Sequence, residues 1–93
     1  MSVKILYFAE FREITSLEEE NFNLNNFTLK ELIDLLIIKY PKMKTLLWDS
    51  KSNFLQNNIS IILNNQAIRD QNLLSKSLKA GDIIAFLLPV SGG

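Results

Sequence analysis

The chain has 93 residues, ten lysines and arginines against ten aspartates and glutamates, and neither cysteine nor histidine. Without thiols it forms no disulfide, no thiolate metal site and no cysteine-based intermediate, and without imidazole it lacks the commonest general base and transition-metal ligand. Zero formal charge argues against a nucleic-acid partner, which needs a basic excess to neutralise phosphates. A chain this short makes one domain, 1–93, and buries roughly 60–65% of its unfolded surface, so it needs a well-filled core. No apolar run approaches the roughly 20 residues that span a bilayer. Met1-Ser2-Val3-Lys4 runs straight into a strand-like pattern with no evident leader, so the expected compartment is the cytoplasm.

In chain order, residues 3–9 read as a first strand, with Val3, Ile5 and Tyr7 on one face and Leu6 and Phe8 on the other. Apolar groups on both faces predict a central strand. Glu10 to Ser16 reads as a turn of helix and a loop. Glu18 to Leu24 alternates weakly, as an edge strand would, and its Glu18-Glu19-Glu20 run reads as a solvated face that discourages edge-to-edge pairing. Thr28 with Glu31 forms a capping box, after which Leu29, Leu32, Ile33, Leu36, Ile37 and Tyr40 follow the spacing of one buried helical stripe. Leu35 and Ile38 lie beside it, predicting a broad buried face, and Pro41 ends the helix. Met43, Leu46, Leu47 and Trp48 predict a second short helical turn, with Ser50 to Asn58 as a polar surface loop.

Ser60 to Leu63 is a third strand, Asn64-Asn65 a tight turn that tolerates positive φ, and the return runs through Ile68 to Leu73-Leu74. Ala80-Gly81-Asp82 makes a turn into a last strand over Ile83 to Leu88. The crossover rule marks the first strand and the strand after the helix as candidate parallel neighbours. The pattern predicts an α+β domain: a mixed four- to five-stranded sheet with one face under the main helix and the other available to a partner.

Beyond the last strand stand Pro89, Val90, Ser91, Gly92 and Gly93, and two of the chain's three glycines are these final residues. Glycine near 7% of average sequence puts such a pair by chance at the end of roughly one chain in 200. Five residues extend about 15–18 Å, and glycine carries no Cβ to block close approach to another surface. Such a thread can present its terminal carboxylate inside another protein. Adenylation would give that carboxylate a leaving group, and a sulfur nucleophile would then yield a thiocarboxylate, a sulfur carrier that needs no cysteine. A frayed end accounts for the tail equally well.

Phe8-Ala9 with Arg12-Glu13, Leu63-Asn64-Asn65, and above all Leu78 through Phe86 with Pro89-Val90-Ser91-Gly92-Gly93 resemble the small, sulfur-carrying subunit of molybdopterin synthase over nearly the full length. The resemblance implies a ubiquitin-like β-grasp fold. It implies that Gly93 is adenylated and thiolated, that Pro89, Val90, Ser91 and Gly92 thread the partner's pocket, and that Phe86 and Leu88 pack at its mouth. It also implies the partners: an ATP-using adenylyltransferase, a sulfur donor protein, and a large subunit that carries the catalytic side chains and passes sulfur to precursor Z, in a heterotetramer with two copies of each subunit. No cofactor or metal is expected on the chain itself, nor any nucleic-acid or membrane partner. Two departures stand out: Leu88 where the family usually has a first of two prolines, and Ser16 where it commonly has glycine.

Of the remaining residues, Arg12 reads as solvated rather than partner-guiding, and Phe8 and Leu6 as either interface anchors or core. Lys39, Lys42, Lys44 and Lys51 around Asp49 read as a solvated loop, Trp48 as a satellite of the core, and Asp82 as a turn cap. Three other functions compete with the carrier reading: a ubiquitin-like modifier joined through Gly93, a carrier for thiazole or tRNA sulfuration, and an interaction domain with an irrelevant tail.

Overall fold

The structure, a computed structural model, describes residues 2–23, 26–69 and 72–88. Leu24 and the tail over 89–93 lie outside the described residues. Strand β1 (Ser2–Leu6) is followed by α1 (Ala9–Thr15), β2 (Glu19–Asn23) and α2 (Leu29–Lys39). Helix α3 (Met43–Leu47), the two-residue strands β3 (Trp48–Asp49) and β4 (Phe54–Leu55), β5 (Ser60–Leu63), β6 (Gln66–Ile68), a 3-10 turn (Leu73–Ser75) and β7 (Ile83–Leu87) complete the chain. The main sheet runs in the order β2-β1-β7-β5-β6. This is the mixed five-stranded α+β sheet of a β-grasp.

Strand β1 is indeed central, but it ends at Leu6 and Ala9 already opens α1. Its parallel neighbour is the last strand, with Ile5 opposite Ile84, and β5 instead pairs antiparallel to β7. The expected parallel pairing with the strand after the helix is therefore corrected. The reason lies in burial: three successive residues of β7, Ile84, Ala85 and Phe86, are buried, and such a continuous apolar run favours a central place in the sheet. The β5–β6 hairpin turns through Asn64 and Asn65 at φ 52° and 71° and stays at the edge.

Helix α2 begins with the complete capping box, Thr28 receiving the Glu31 N–H and Glu31 receiving the Thr28 N–H. It ends at Lys39, before Pro41. Leu29, Leu32, Ile33 and Leu36 are buried, in one core with Val3, Ile5 and Tyr7 of the first segment, Ile61 and Leu63 of β5, and Ile84 and Phe86 of β7. Each such side chain contributes roughly 1.5–3 kcal/mol by leaving water. The buried face is narrower than expected, for Ile38 is 77% exposed. Residues 50–58 also depart from a plain loop: Phe54–Leu55 pairs with Trp48–Asp49, and Leu55 is buried in the core cluster that includes Met43 and Leu47.

The largest correction concerns Glu20. Its partner in the ladder is Ile5, so it points to the core side of the sheet rather than to water. There its carboxylate accepts hydrogen bonds from the Tyr7 hydroxyl at 2.7 Å, the Tyr40 hydroxyl at 2.9 Å and the Lys39 ammonium. Lys39, read from sequence as part of a solvated loop, thus ties the end of α2 to edge strand β2. Desolvation pushes the Glu20 carboxyl upward, but the bonds from Lys39, Tyr7 and Tyr40 outweigh it and hold the group below its ordinary value. Burial first, and then the Glu20 hydrogen bond and charge, push both tyrosine hydroxyls upward.

These shifts set a pH window for stability. Glu20's contribution is present above the ordinary carboxylate range and is lost as pH falls through its depressed value; the tyrosines' contribution is lost as pH rises above about 10, where the unfolded phenol ionises. Replacement Glu20→Ala leaves the Tyr7 hydroxyl buried without an acceptor and should cost about 1–3 kcal/mol near neutral pH. Urea unfolding across pH would show the wild-type advantage over Glu20→Ala shrinking toward acid; a gap independent of pH would contradict this account of the cluster.

Candidate functional site

Parallel pairing of β1 with β7 places the C-terminal ends of both strands at the same end of the sheet. Phe8, which follows β1, and Leu88, which follows β7, therefore lie at the end where the tail leaves. The N-terminal end of β5 arrives there too, since Ser60 faces Leu87. Strand β7, from which the tail leaves, is thus flanked by β1 on one side and β5 on the other.

The sheet face away from α2 carries a row of apolar residues. Register sets Leu6 beside Ala85, Ala85 beside Ile62, and Ile62 beside Ala67. On the same face of β7, two residues either side of Ala85, stand Ile83 and Leu87, 40% and 37% exposed. Phe8 continues the outward parity of Leu6 and is 39% exposed, while Tyr7 beside it is buried. Phe8 and Leu87 stand near the tail's end of this face and Ile83 at its far end, a run of exposed large side chains of the kind that marks protein contact rather than scattered surface residues. Phe8 and Leu6, open to either reading in the sequence, thus belong to this outer face and not to the core.

The structure separates the two residues expected at a partner's mouth. Leu88 is half-buried and lines a shallow depression of about 210 Å³ with Glu10, Thr45, Leu46, Gln56 and Asn58. Phe86 is 1% exposed, its ring 5.8 Å from that of Phe11 in the core. On β7 the Phe86 side chain alternates inward, where its own fold covers it, and Leu87 takes the outward place. Pro89, Val90, Ser91, Gly92 and Gly93 lie outside the described residues.

The turn that launches β7 is tightly specified. The Asp82 carboxylate accepts the Lys79 N–H at 2.8 Å and the Asn64 amide at 2.9 Å, while the Asn64 side-chain oxygen accepts the Ile83 N–H at 2.9 Å. Gly81 sits at φ +87°, a conformation that side chains resist. Asp82 is a turn cap, as its sequence position suggested, and Asn64 is a second member that the sequence showed only as a turn former. Ser16, at φ +63°, takes the left-handed conformation that glycine adopts most readily, so α1 closes with that bend despite the substitution. Arg12 is only partly free: its Nε donates to the Tyr7 carbonyl at 3.3 Å, and its guanidinium lies 4.0 Å from Glu18.

Among the described residues, no three acidic, histidine or cysteine side chains gather to hold a metal ion, and no helix is long and apolar enough to cross a membrane. What the site offers is an apolar face beside a tail, not a constellation of acid, base and nucleophile.

Comparison with known proteins fits this geometry. The ThiS family model matches residues 5–93. The chain belongs to the ThiS family. Along its whole length it is 29% identical to the molybdopterin synthase sulfur carrier subunit of Chlamydomonas reinhardtii, with all of both chains covered. It is 33% identical to the small archaeal modifier protein 1 of Methanosarcina acetivorans, covering 99% of this chain and 96% of that one at a TM-score of 0.79. SAMP1 of Haloferax volcanii superposes with a TM-score of 0.83 over 100% of both chains at 23% identity, a likeness of fold. The two archaeal structures share the β-grasp fold described above.

The assignment of inward and outward side chains on β7 has a direct check. Phe86→Ala should destabilise this ThiS-family chain by about 3–5 kcal/mol, whereas Leu87→Ser should cost less than about 1 kcal/mol. Urea denaturation would read both, and equal losses would mean that the two side chains have been placed on the wrong faces.

Proposed function

We propose that this chain is the sulfur carrier subunit of a molybdopterin synthase and that its working group is the carboxylate of Gly93. The observation that carries the reading is the family match running through residue 93, supported by full-length similarity to a molybdopterin synthase sulfur carrier subunit. The apolar sheet face adds a physical reason: a partner can grip Phe8 and Leu87 beside the tail's root, and Ile83 farther along the same face, while the tail enters its pocket. Such a carrier is non-catalytic by itself, and its partners act in the cytoplasm.

The chemistry balances without any side chain of this protein. A Gly93 carboxylate oxygen attacks the α-phosphorus of ATP on an activating enzyme, the bond to the β-phosphate oxygen breaks, and pyrophosphate leaves. A sulfur donor delivering the equivalent of hydrosulfide then attacks the acyl carbon, AMP departs with the electron pair of the broken C–O bond, and a proton is lost to give the thiocarboxylate. The large subunit takes up the tail through Pro89, Val90, Ser91 and Gly92, with Leu88 at the mouth; the thiocarboxylate sulfur bonds to a carbon of precursor Z, and water attacks the acyl carbon, breaking its C–S bond and restoring the Gly93 carboxylate. ATP is consumed by the activating enzyme and is not a resident of this chain. Two copies of each subunit complete the proposed synthase.

A second reading draws on the 33% identity with a small archaeal modifier protein: the same adenylated Gly93 would be captured by a lysine amine, forming an isopeptide bond. The two separate in a strain lacking its own synthase small subunit. The full chain should restore molybdenum-cofactor-dependent enzyme activity there, and a chain lacking Gly93 should restore none while remaining folded. Failure of the full chain, together with ladders of protein conjugates, would favour the modifier and defeat the carrier reading.

A further inference from the structure

The depression at the tail's root is built by segments far apart in sequence. Glu10 comes from α1, Thr45 and Leu46 from α3, Gln56 and Asn58 from the stretch between β4 and β5, and Leu88 from the position that follows β7. Gln56 fixes this assembly: its side-chain amide donates to the Thr45 carbonyl at 3.2 Å and the Trp48 carbonyl at 3.0 Å, and its N–H to the Leu47 carbonyl at 2.9 Å. The depression is thus preformed. At about 210 Å³ it is smaller than the roughly 300–1,000 Å³ of small-molecule sites and better matched to a single inserted side chain.

Its chemistry is two-sided. Leu46 and Leu88 are half-buried apolar groups, whereas Glu10 and Asn58 are exposed polar ones. Lys4 pairs with Glu19, Arg12 with Glu18, Lys30 with Asp34 and Lys39 with Glu20, but among the described residues Glu10 has no cationic partner. Two half-buried leucines set among polar groups, with a carboxylate that has no cationic partner among the described residues, suit a long cationic side chain, whose methylene stem lies on the leucines while its head meets the charge.

Resting on the carrier reading above, we propose that this depression is a socket for one arginine or lysine side chain of the enzyme that adenylates Gly93, with its stem on Leu46 and Leu88 and its cationic head on Glu10, assisted by the Asn58 amide. Two features favour this partner. A tail of five residues reaches at most about 15–18 Å, so an enzyme acting at its tip must bring its surface close to the tail's root. That enzyme must also bind a triphosphate and an incoming carboxylate, which calls for a cationic entrance, complementary in sign to Glu10. The socket makes Glu10 a specificity-determining residue: it governs capture of the carrier, not the bond-making step.

The test is ATP–pyrophosphate exchange by the activating enzyme of the same organism with the full-length chain, fitted for KM and kcat of the carrier. Glu10→Lys should raise KM about tenfold or more with kcat nearly unchanged, Glu10→Gln should fall between it and wild type, and the differences should narrow as salt rises from about 50 to about 500 mM. Glu13→Lys makes the same charge change on α1, outside the depression, and should leave KM near the wild-type value. Circular dichroism of each variant reports that the fold is retained, and the mild Glu10→Gln change keeps the test open should Glu10→Lys unfold. Equal KM for wild type and both Glu10 variants, or equal increases for Glu10→Lys and Glu13→Lys, would overturn the socket while leaving the carrier reading intact. No exchange with wild type would remove the carrier reading and the socket together.

Discussion

Parallel strands cannot be joined by a tight turn, so pairing β1 with β7 obliges the chain to lay down every other element between them. That one pairing determines most of what matters here. It places the last strand in the middle of the sheet, with β1 on one side and β5 on the other. A tail that begins from a central strand is anchored by two ladders, and Phe86 packed against Phe11 fixes the strand from the core side. The same pairing gathers Phe8, Glu10 and Leu88 at one end, although nearly the whole chain separates the first two from the third.

The helix side and the open side of the sheet divide the work. On the helix side, α2 supplies the stripe that gives a short chain enough core, and the Glu20 cluster ties the outermost strand to the end of that helix. On the open side Phe8, Ile83 and Leu87 remain exposed among the described residues. A single-layer sheet with one bare apolar face gives up some folded stability relative to a covered one, and it leaves a surface next to the tail on which a partner can rest.

Much of this was legible in the sequence because local patterns carried it: the capping box at Thr28 and Glu31, the i, i+3, i+4 stripe of α2, the Asn64-Asn65 turn and the closing strand. The family resemblance made the carrier function readable as well. What escaped depended on pairings that local patterns do not encode. Which strand lies beside β1 is set by competition among whole strands for the centre, so β7 rather than β5 took the place. Glu20 looked solvated within an acidic run, yet it shares its parity with Phe22, and that alternation was the signal that it faces inward. Ile38 fell beside the apolar stripe but just past its edge, and the small β3–β4 pair was too short to show as strand. Phe86 and Leu87 were separable only once the register of β7 was known, whereas Glu10 and Asn58 meet Leu88 through tertiary contact alone.

The proposed function places the protein's chemistry in its terminal carboxylate. The most direct measurement is the intact mass of the purified chain after incubation with its activating enzyme, ATP and a sulfur donor, followed by fragmentation to locate any change. The expected result is a gain equal to exchanging one oxygen for one sulfur, confined to Gly93 and absent when ATP is withheld. An unchanged mass, with the same activating enzyme working on a control carrier, would contradict it.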